Sequence, residues 1–222
     1  MIEEVALSRG HEITCVIDRV AVGPASPVRY YSSEEGFETE AFRSADVAIE
    51  FTTPATAEAN IRKAWAQGVP VVCGSTGWDA ASLMAEDKRI HERPMLIWKS
   101  NFSVGVNIFF NLNKQLASAM KSQPQYTPSI IETHHIHKLD KPSGTAKTLS
   151  NDIMSAAKPL NGDATLNDVP IESIREGEVP GTHEVKWDSE EDTIIITHIA
   201  KGRRGFALGA VLVAEDILKE KK

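Results

Sequence analysis

The sequence predicts an α/β chain in two parts, a parallel sheet covered by helices on both faces and, after it, a part of α+β type. Two observations carry the prediction. Short runs that are apolar throughout, such as "VPVVCG" at 69–74, alternate with helical patterns over residues 1–102, which is how strands buried on both faces read. After "PMLIWKSNFS" at 94–103 the alternation stops, and three strand candidates follow one another with polar turns between them. The predicted boundaries are 1–102 with 201–222 for the first part and 103–200 for the second. With 222 residues, 41% of them hydrophobic, the chain can build a core in each part.

"MIEEVALSRG" (1–10) reads as a helix leading into the strand "HEITCVIDR" (11–19), which ends at Asp18. Residues 20–38, "VAVGPASPVRYYSSEEGFE", hold glycine, proline and serine without a period and are expected to form a surface loop. "ADVAIEF" (45–51) is a second strand ending near Phe51, and "VPVVCG" a third ending at Gly74. Between them "TPATAEANIRKAWAQG" (53–68) is a helix with Pro54 near its first turn and Gly68 at its stop; "DAASLMAEDKRIHER" (79–93) opens on an Asp79 cap.

In the second part, "VGVNIFFNLNKQLASAM" (104–120) is a long helix, "SIIETHHIH" (129–137) a strand, and a helix starts from Ser143. "IESIREG" (171–177), "THEVKWDSE" (182–190) and "DTIIITHIA" (192–200) read as consecutive antiparallel strands. The last helix, "GFALGAVLVAEDILKEKK" (205–222), is expected to pack back on the first part.

A net charge of −7 and a pI near 5.5 argue against nucleic acid or acidic membrane as partner, since the longest basic cluster is Lys201, Arg203 and Arg204. No apolar stretch reaches the roughly 18–20 residues that span a bilayer, and the N-terminus lacks the layout of a secretion signal. The expected location is the cytoplasm and the expected partners are small molecules. Cys15 and Cys73 lie in apolar strand-like runs and read as reduced, structural thiols.

The densest chemistry is "ETHHIHKLDKPSGTAKTL" (132–149). On a strand His134 and Lys138 share one face while His135 and His137 share the other, so a common site requires the strand to end and bend, as Lys141-Pro142 demands. The helix that follows is capped by Ser143, and its first-turn amides favour a carboxylate or phosphate, with Lys138 adding a full charge. The stretch reads as an anion pocket beside an imidazole suited to proton transfer near neutrality. A zinc reading of His135 and His137 lacks an obvious third ligand, His183 and His198 being distant in sequence, so no metal is expected. Ser143 has no strained elbow around it and is a weaker nucleophile candidate. Elsewhere Asp18 stands where a strand-end carboxylate binds ribose hydroxyls, and Arg19 is placed for adenine or a 2′-phosphate. "FTTP" (51–54) and "CGSTGW" (73–78) also follow strands, on the edge where such sheets bind ligands.

"ETHHIHKLDKPSGTA", with "EFTTPATA", "VPVVCGSTGW" and "NFSVGVNIFF" in the same order and spacing, resembles the dihydrodipicolinate reductase family over nearly the whole chain. The resemblance implies a Rossmann-like dinucleotide-binding domain followed by a substrate-binding and oligomerisation domain with a mixed or antiparallel sheet, usually a homotetramer. It implies hydride transfer from NADH or NADPH to a cyclic dicarboxylate, 4-hydroxy-tetrahydrodipicolinate, with loss of water, in diaminopimelate and lysine synthesis. By position, His134 is the proton donor or acceptor, Lys138 a second proton donor, and His135, Gly144 and Thr145 contact the substrate. Asp18 falls to the adenosine ribose, Gly74, Ser75 and Thr76 along the cofactor, and Lys99, Ser100, Asn101 and Phe102 near the nicotinamide. Asp18 tends to disfavour a 2′-phosphate while Arg19 could accept one, so dual use is expected, with NADH slightly favoured.

The family begins with a strand and a Gly-rich turn not found in this sequence, so weak cofactor binding and a poor reductase are expected of the chain as written. The alternative is a catalytically weak module that binds dicarboxylates and oligomerises; a zinc hydrolase stands third.

Overall fold

Val71, Val72 and Cys73 are each no more than 1% exposed, so the strand they form has both faces covered. The structure, a computed structural model, describes residues 1–19, 29–31, 34–157 and 168–220. It divides into two units, Met1–Phe102 with Phe206–Lys222, and Ser103–Gly205.

In the first unit β3 (Ala48–Glu50), β4 (Val71–Cys73) and β5 (Leu96–Trp98) form a parallel sheet in that order. Val71 and Cys73 join Ile61 of α3 (Ala57–Ala66) and Leu83 of α4 (Ala80–Ile90) in one core. Val72 points the other way, against Ala210, Ala214 and Ile217 of α7 (Arg204–Glu220), as the two-residue period of a strand requires. The final helix thus returns to the first unit, and α1 (Ile2–Ser8) packs on it through Val5, Ala6, Ala207 and Val211. Asp79 caps α4, its carboxylate accepting the Ser82 amide at 3.1 Å.

β1 (Cys15–Ile17) pairs in parallel with β2 (Arg29–Tyr31) as a separate two-stranded sheet. This corrects the surface loop predicted for 20–38. Residues 29–31 are a strand too short for any period to show, and a 3₁₀ turn at Glu34–Glu38 packs Phe37 on Phe42 of α2 (Glu40–Arg43) with ring centroids 5.0 Å apart. The rest of that loop prediction, 20–28 and 32–33, lies outside the described residues.

Helix α7 touches the backbone of the sheet's last connection at Gly209, where an added Cβ would fall 1.6 Å from the carbonyl oxygen of Phe102. Backbone must move to admit it, so Gly209→Ala is expected to cost about 3 kcal/mol, the upper end of ordinary overpacking. In a chain of this size that lowers Tm by about 6–12 °C, readable by calorimetry.

In the second unit β6 (Thr127–His134), β7 (Ile171–Arg175), β8 (Thr182–Asp188) and β9 (Thr193–Ile199) form one mixed sheet in the order β7-β6-β8-β9. The three last strands are not all antiparallel. β7 lies parallel to β6 because α6 (Gly144–Ala157) intervenes between the two, the helical crossover that a parallel pair needs. α5 (Val104–Met120) and α6 cover one face, where Phe109, Ala146, Leu149 and Ile153 meet Ile130, Val185 and Trp187. β6 ends at His134 rather than at residue 137, since the chain turns at once, the Lys138 amide donating to the His135 carbonyl at 3.1 Å. Among the described residues no helix is long and apolar enough to cross a membrane.

Candidate active site

The burial of β6 alternates, so Ile130, Glu132 and His134 face the helices together. The register then adds two neighbours: Glu132 stands opposite His183 on β8, and His134 opposite Arg175 on β7. Opposed residues share a face, so four polar side chains converge on the helix-covered side of the sheet. At their centre is the Glu132 carboxylate, wholly buried. It accepts the Ser143 amide at 3.0 and 3.1 Å and the Arg175 guanidinium at 3.2 Å. His134 Nε2 lies 3.6 Å and His183 Nε2 3.8 Å from its Oε2, and the two imidazole nitrogens are 3.3 Å apart. The His134 ring rests on Gly181, where a Cβ would come within 2.8 Å of Cε1.

The turn after β6 is fastened by the same arginine. Arg175 donates to the carbonyls of Lys138 and Asp140 at 3.3 and 2.6 Å, and Lys138 Nζ meets the Asp140 carboxylate at 2.6 Å. Lys141-Pro142 is cis, and Ser143 caps α6, its hydroxyl accepting the Ala146 amide at 3.2 Å and lying 3.2 Å from His183 Nε2. Gly144 and Thr145 open the helix; an added Cβ on Gly144 would meet nothing within 4 Å. The turn that carries Lys138 and Asp140 thus leads directly into α6.

Charges follow from these contacts. Burial pushes the Glu132 carboxyl up, but the hydrogen bonds from Ser143 and Arg175 outweigh it and the pKa lies below the ordinary value. Burial lowers the His134 imidazole, and Lys138 lowers it further. Burial holds His183 down at about 4, with His134 as second cause. Desolvation raises Asp140, and this is outweighed by the hydrogen bond and charge of Lys138, helped by the Gly144 backbone, so its pKa is also lowered. The His135 and His137 ring centroids are 6.1 Å apart, but His137 is turned to Glu178 at 3.4 Å. His135 Nδ1 is buried and makes no hydrogen bond among the described residues. Among the described residues the ligand set with metal spacing is instead Glu132, His134 and His183.

Sequence reading missed Glu132, Asp140, Arg175 and Gly181, and set His183 aside as a metal ligand distant in sequence. Glu132 had a signal, since it lies two residues before His134 and so on the same strand face. Arg175 and His183 depend on sheet register and had none.

In the first unit the predicted cofactor residues lie at strand ends. Asp18 and Arg19, both exposed, follow β1; Gly74, Ser75 and Thr76 follow β4; Lys99, Ser100, Asn101 and Phe102 follow β5. The last two groups adjoin, the Lys99 amide donating to the Cys73 carbonyl at 3.2 Å and the Trp98 indole to the Ser75 carbonyl at 2.7 Å. Asp18 and Arg19 leave from the other sheet. Phe102 is a core residue by its side chain, buried beside Phe51 with centroids 5.8 Å apart. Gly74 has no space for a side chain, since a Cβ there would fall 2.2 Å from the Phe51 ring. Ser75 Oγ is buried without a partner among the described residues, an orphaned donor at the strand end that suits a polar ligand. Cys73, by contrast, is an inert thiol: burial and its hydrogen bond to Glu50 at 2.9 Å push its pKa up.

Two family models match in tandem, "Dihydrodipicolinate reductase, N-terminus" over residues 1–102 and "Dihydrodipicolinate reductase, C-terminus" over 105–222. The chain is 41% identical over 224 residues to the 4-hydroxy-tetrahydrodipicolinate reductase of Christiangramia forsetii, covering 99% of this chain and 87% of that one. It is 33% identical over 221 residues to the enzyme of that name from Natronomonas pharaonis, covering 95% and 86%. Among solved structures, dipicolinate-bound dihydrodipicolinate reductase from Paenisporosarcina sp. TG-14 superposes with a TM-score of 0.73 at 21% identity, covering 98% of this chain and 91% of that one, which shows the same fold. A Rossmann-like parallel-sheet unit joined to a mixed-sheet unit, with both family models matched end to end, places the chain in the dihydrodipicolinate reductase family.

Proposed function

We propose that the chain reduces 4-hydroxy-tetrahydrodipicolinate to tetrahydrodipicolinate with NADH or NADPH, in diaminopimelate and lysine synthesis. The observation that carries the reading is the lodging of Asp140. Its carboxylate lies 2.6 Å from Lys138 Nζ on the turn that leads into α6, so an ammonium is already paired with an anion three residues before the helix cap. A cyclic dicarboxylate calls for the same partners. Gly144 and Thr145 bind one substrate carboxylate, and His135, whose buried Nδ1 lacks a partner among the described residues, contacts the ring.

A reduced nicotinamide, held by residues of the first unit, would supply the hydride. As the ring gains it, negative charge develops beside the reacting carbon and a proton must follow, while the hydroxyl leaves as water. The net change is one hydride and one proton gained and one water lost: Lys138 offsets that charge and supplies the proton, and any proton His134 takes from the ring it returns, so none is gained or lost there overall. Glu132 and Arg175 act through these groups, fixing the ring and the loop that carry them. On the first unit Asp18 takes the adenosine ribose, Gly74–Thr76 lie along the cofactor and Lys99–Phe102 meet the nicotinamide end. Arg19 beside Asp18 supports use of both cofactors, with NADH only slightly favoured.

Cys15 and Cys73 are free thiols, which suits a cytoplasmic enzyme. The outer face of the mixed sheet presents Ile174, Ile195 and Ile199, 36, 50 and 66% exposed, and we assign it to a homotetramer. Ile195→Lys is expected to lower the mass seen by light scattering; a wild-type monomer contradicts the assignment.

Absorbance at the nicotinamide band tests the reaction. Substrate-dependent loss of NADH supports it; binding of dipicolinate, the ligand of the Paenisporosarcina structure, with no oxidation supports the binding module instead.

A further inference from the structure

We infer that Glu132, His134 and His183 form a site for a divalent cation of the zinc class, and that filling it stops the reductase. The three side chains are 0, 11 and 5% exposed. Their converging atoms, Oε2 and two Nε2, stand 3.3, 3.6 and 3.8 Å apart. A triangle of that size has a point about 2.1 Å from every corner, which is the length of a Zn–N or Zn–O bond. Two imidazoles and one carboxylate are also the donor set of open zinc sites, which keep a fourth position for water. Ser143 Oγ lies 3.2 Å from His183 Nε2, at one corner of the triangle.

The carboxylate is already oriented as a ligand. The Ser143 amide reaches both oxygens, Oε1 at 3.0 and Oε2 at 3.1 Å, and Arg175 holds Oε1 at 3.2 Å, the outer support that ligating carboxylates have, while Oε2 also faces the two histidines. Arg175 also restricts the choice of ion, because its positive charge disfavours a cation held by electrostatics alone. Magnesium and calcium, which want six or more oxygens, do not suit the site; zinc, cobalt and copper, which bond strongly to imidazole, do. The His-x-His reading of the sequence is displaced by one residue: the ligands are His134, the carboxylate two residues before it and a histidine across the sheet.

A bound ion takes Nε2 of His134 out of proton exchange. That half of the inference rests on the role proposed for His134; the site does not.

The test uses the full chain and Co²⁺, whose visible spectrum reports low coordination without any assay of turnover. After gel filtration the wild type is expected to retain one Co²⁺ per chain, displaced by Zn²⁺, with NADH oxidation falling in step with occupancy and returning with chelator. His183→Gln and Glu132→Gln are each expected to weaken binding by more than about 100-fold, since loss of an outer partner alone costs about 10–100-fold. A wild type that retains no ion overturns the site, and so does undiminished binding in both variants. An ion that binds through these residues while oxidation continues leaves the site standing and overturns the inhibition together with the role of His134.

Discussion

Lys138→Met and His134→Gln are each expected to lower kcat by about 100- to 10,000-fold, the usual contribution of a positioned proton donor. Circular dichroism should show both variants folded, since Lys138 is at the edge of the turn and glutamine keeps a polar group at position 134. The double variant should lose little more than the worse single one, because both groups serve the same proton inventory. The pH profile offers a second check. Burial and the Lys138 charge both lower the His134 pKa, so removing the ammonium should let the imidazole move back up toward its ordinary value. The limb of the profile set by His134 should therefore shift to higher pH in Lys138→Met. Unchanged kcat in that variant contradicts the assignment of the ammonium to the chemistry.

Arg175→Ala is expected to destabilise the second unit by about 3–5 kcal/mol, the cost of leaving a buried carboxylate without its cation. Its guanidinium serves Glu132 and the carbonyls of Lys138 and Asp140 at once, so the variant loses strand, loop and charge balance together. Tm should fall by about 6–20 °C, at roughly 2–4 °C per kcal/mol. The double variant Arg175→Ala, Glu132→Gln should recover part of that loss, because an amide needs no cation. Activity should not return with it, as the turn carrying Lys138 remains unfastened. A loss below about 1 kcal/mol in the single variant, the range of an exposed pair, contradicts this account of the buried network.

The fold was legible wherever one element alone decided it. "VPVVCG" announced a strand covered on both faces because all its side chains are apolar, and Asp79 announced its helix because the cap is local. What escaped was set by pairing at a distance. Arg29–Tyr31 is a strand only because β1 lies beside it, and β7 runs parallel to β6 for a reason located in the crossover, outside its own residues. The site divides in the same way. His134, Lys138 and the start of α6 could be read from one stretch, whereas Arg175 and His183 reach Glu132 through register, which no local pattern encodes. The zinc spacing was sought at His135 and His137 on the assumption that the strand continued to 137; it ends at His134.

The central claim is that Lys138 and the first turn of α6 grip one dianion. Nuclear magnetic resonance of the isotope-labelled protein titrated with dipicolinate addresses it directly. The account predicts that the Gly144 and Thr145 amides and the Lys138 side chain shift together, along one saturation curve. Movement of the helix amides with Lys138 unaffected, or saturation at two different concentrations, contradicts it.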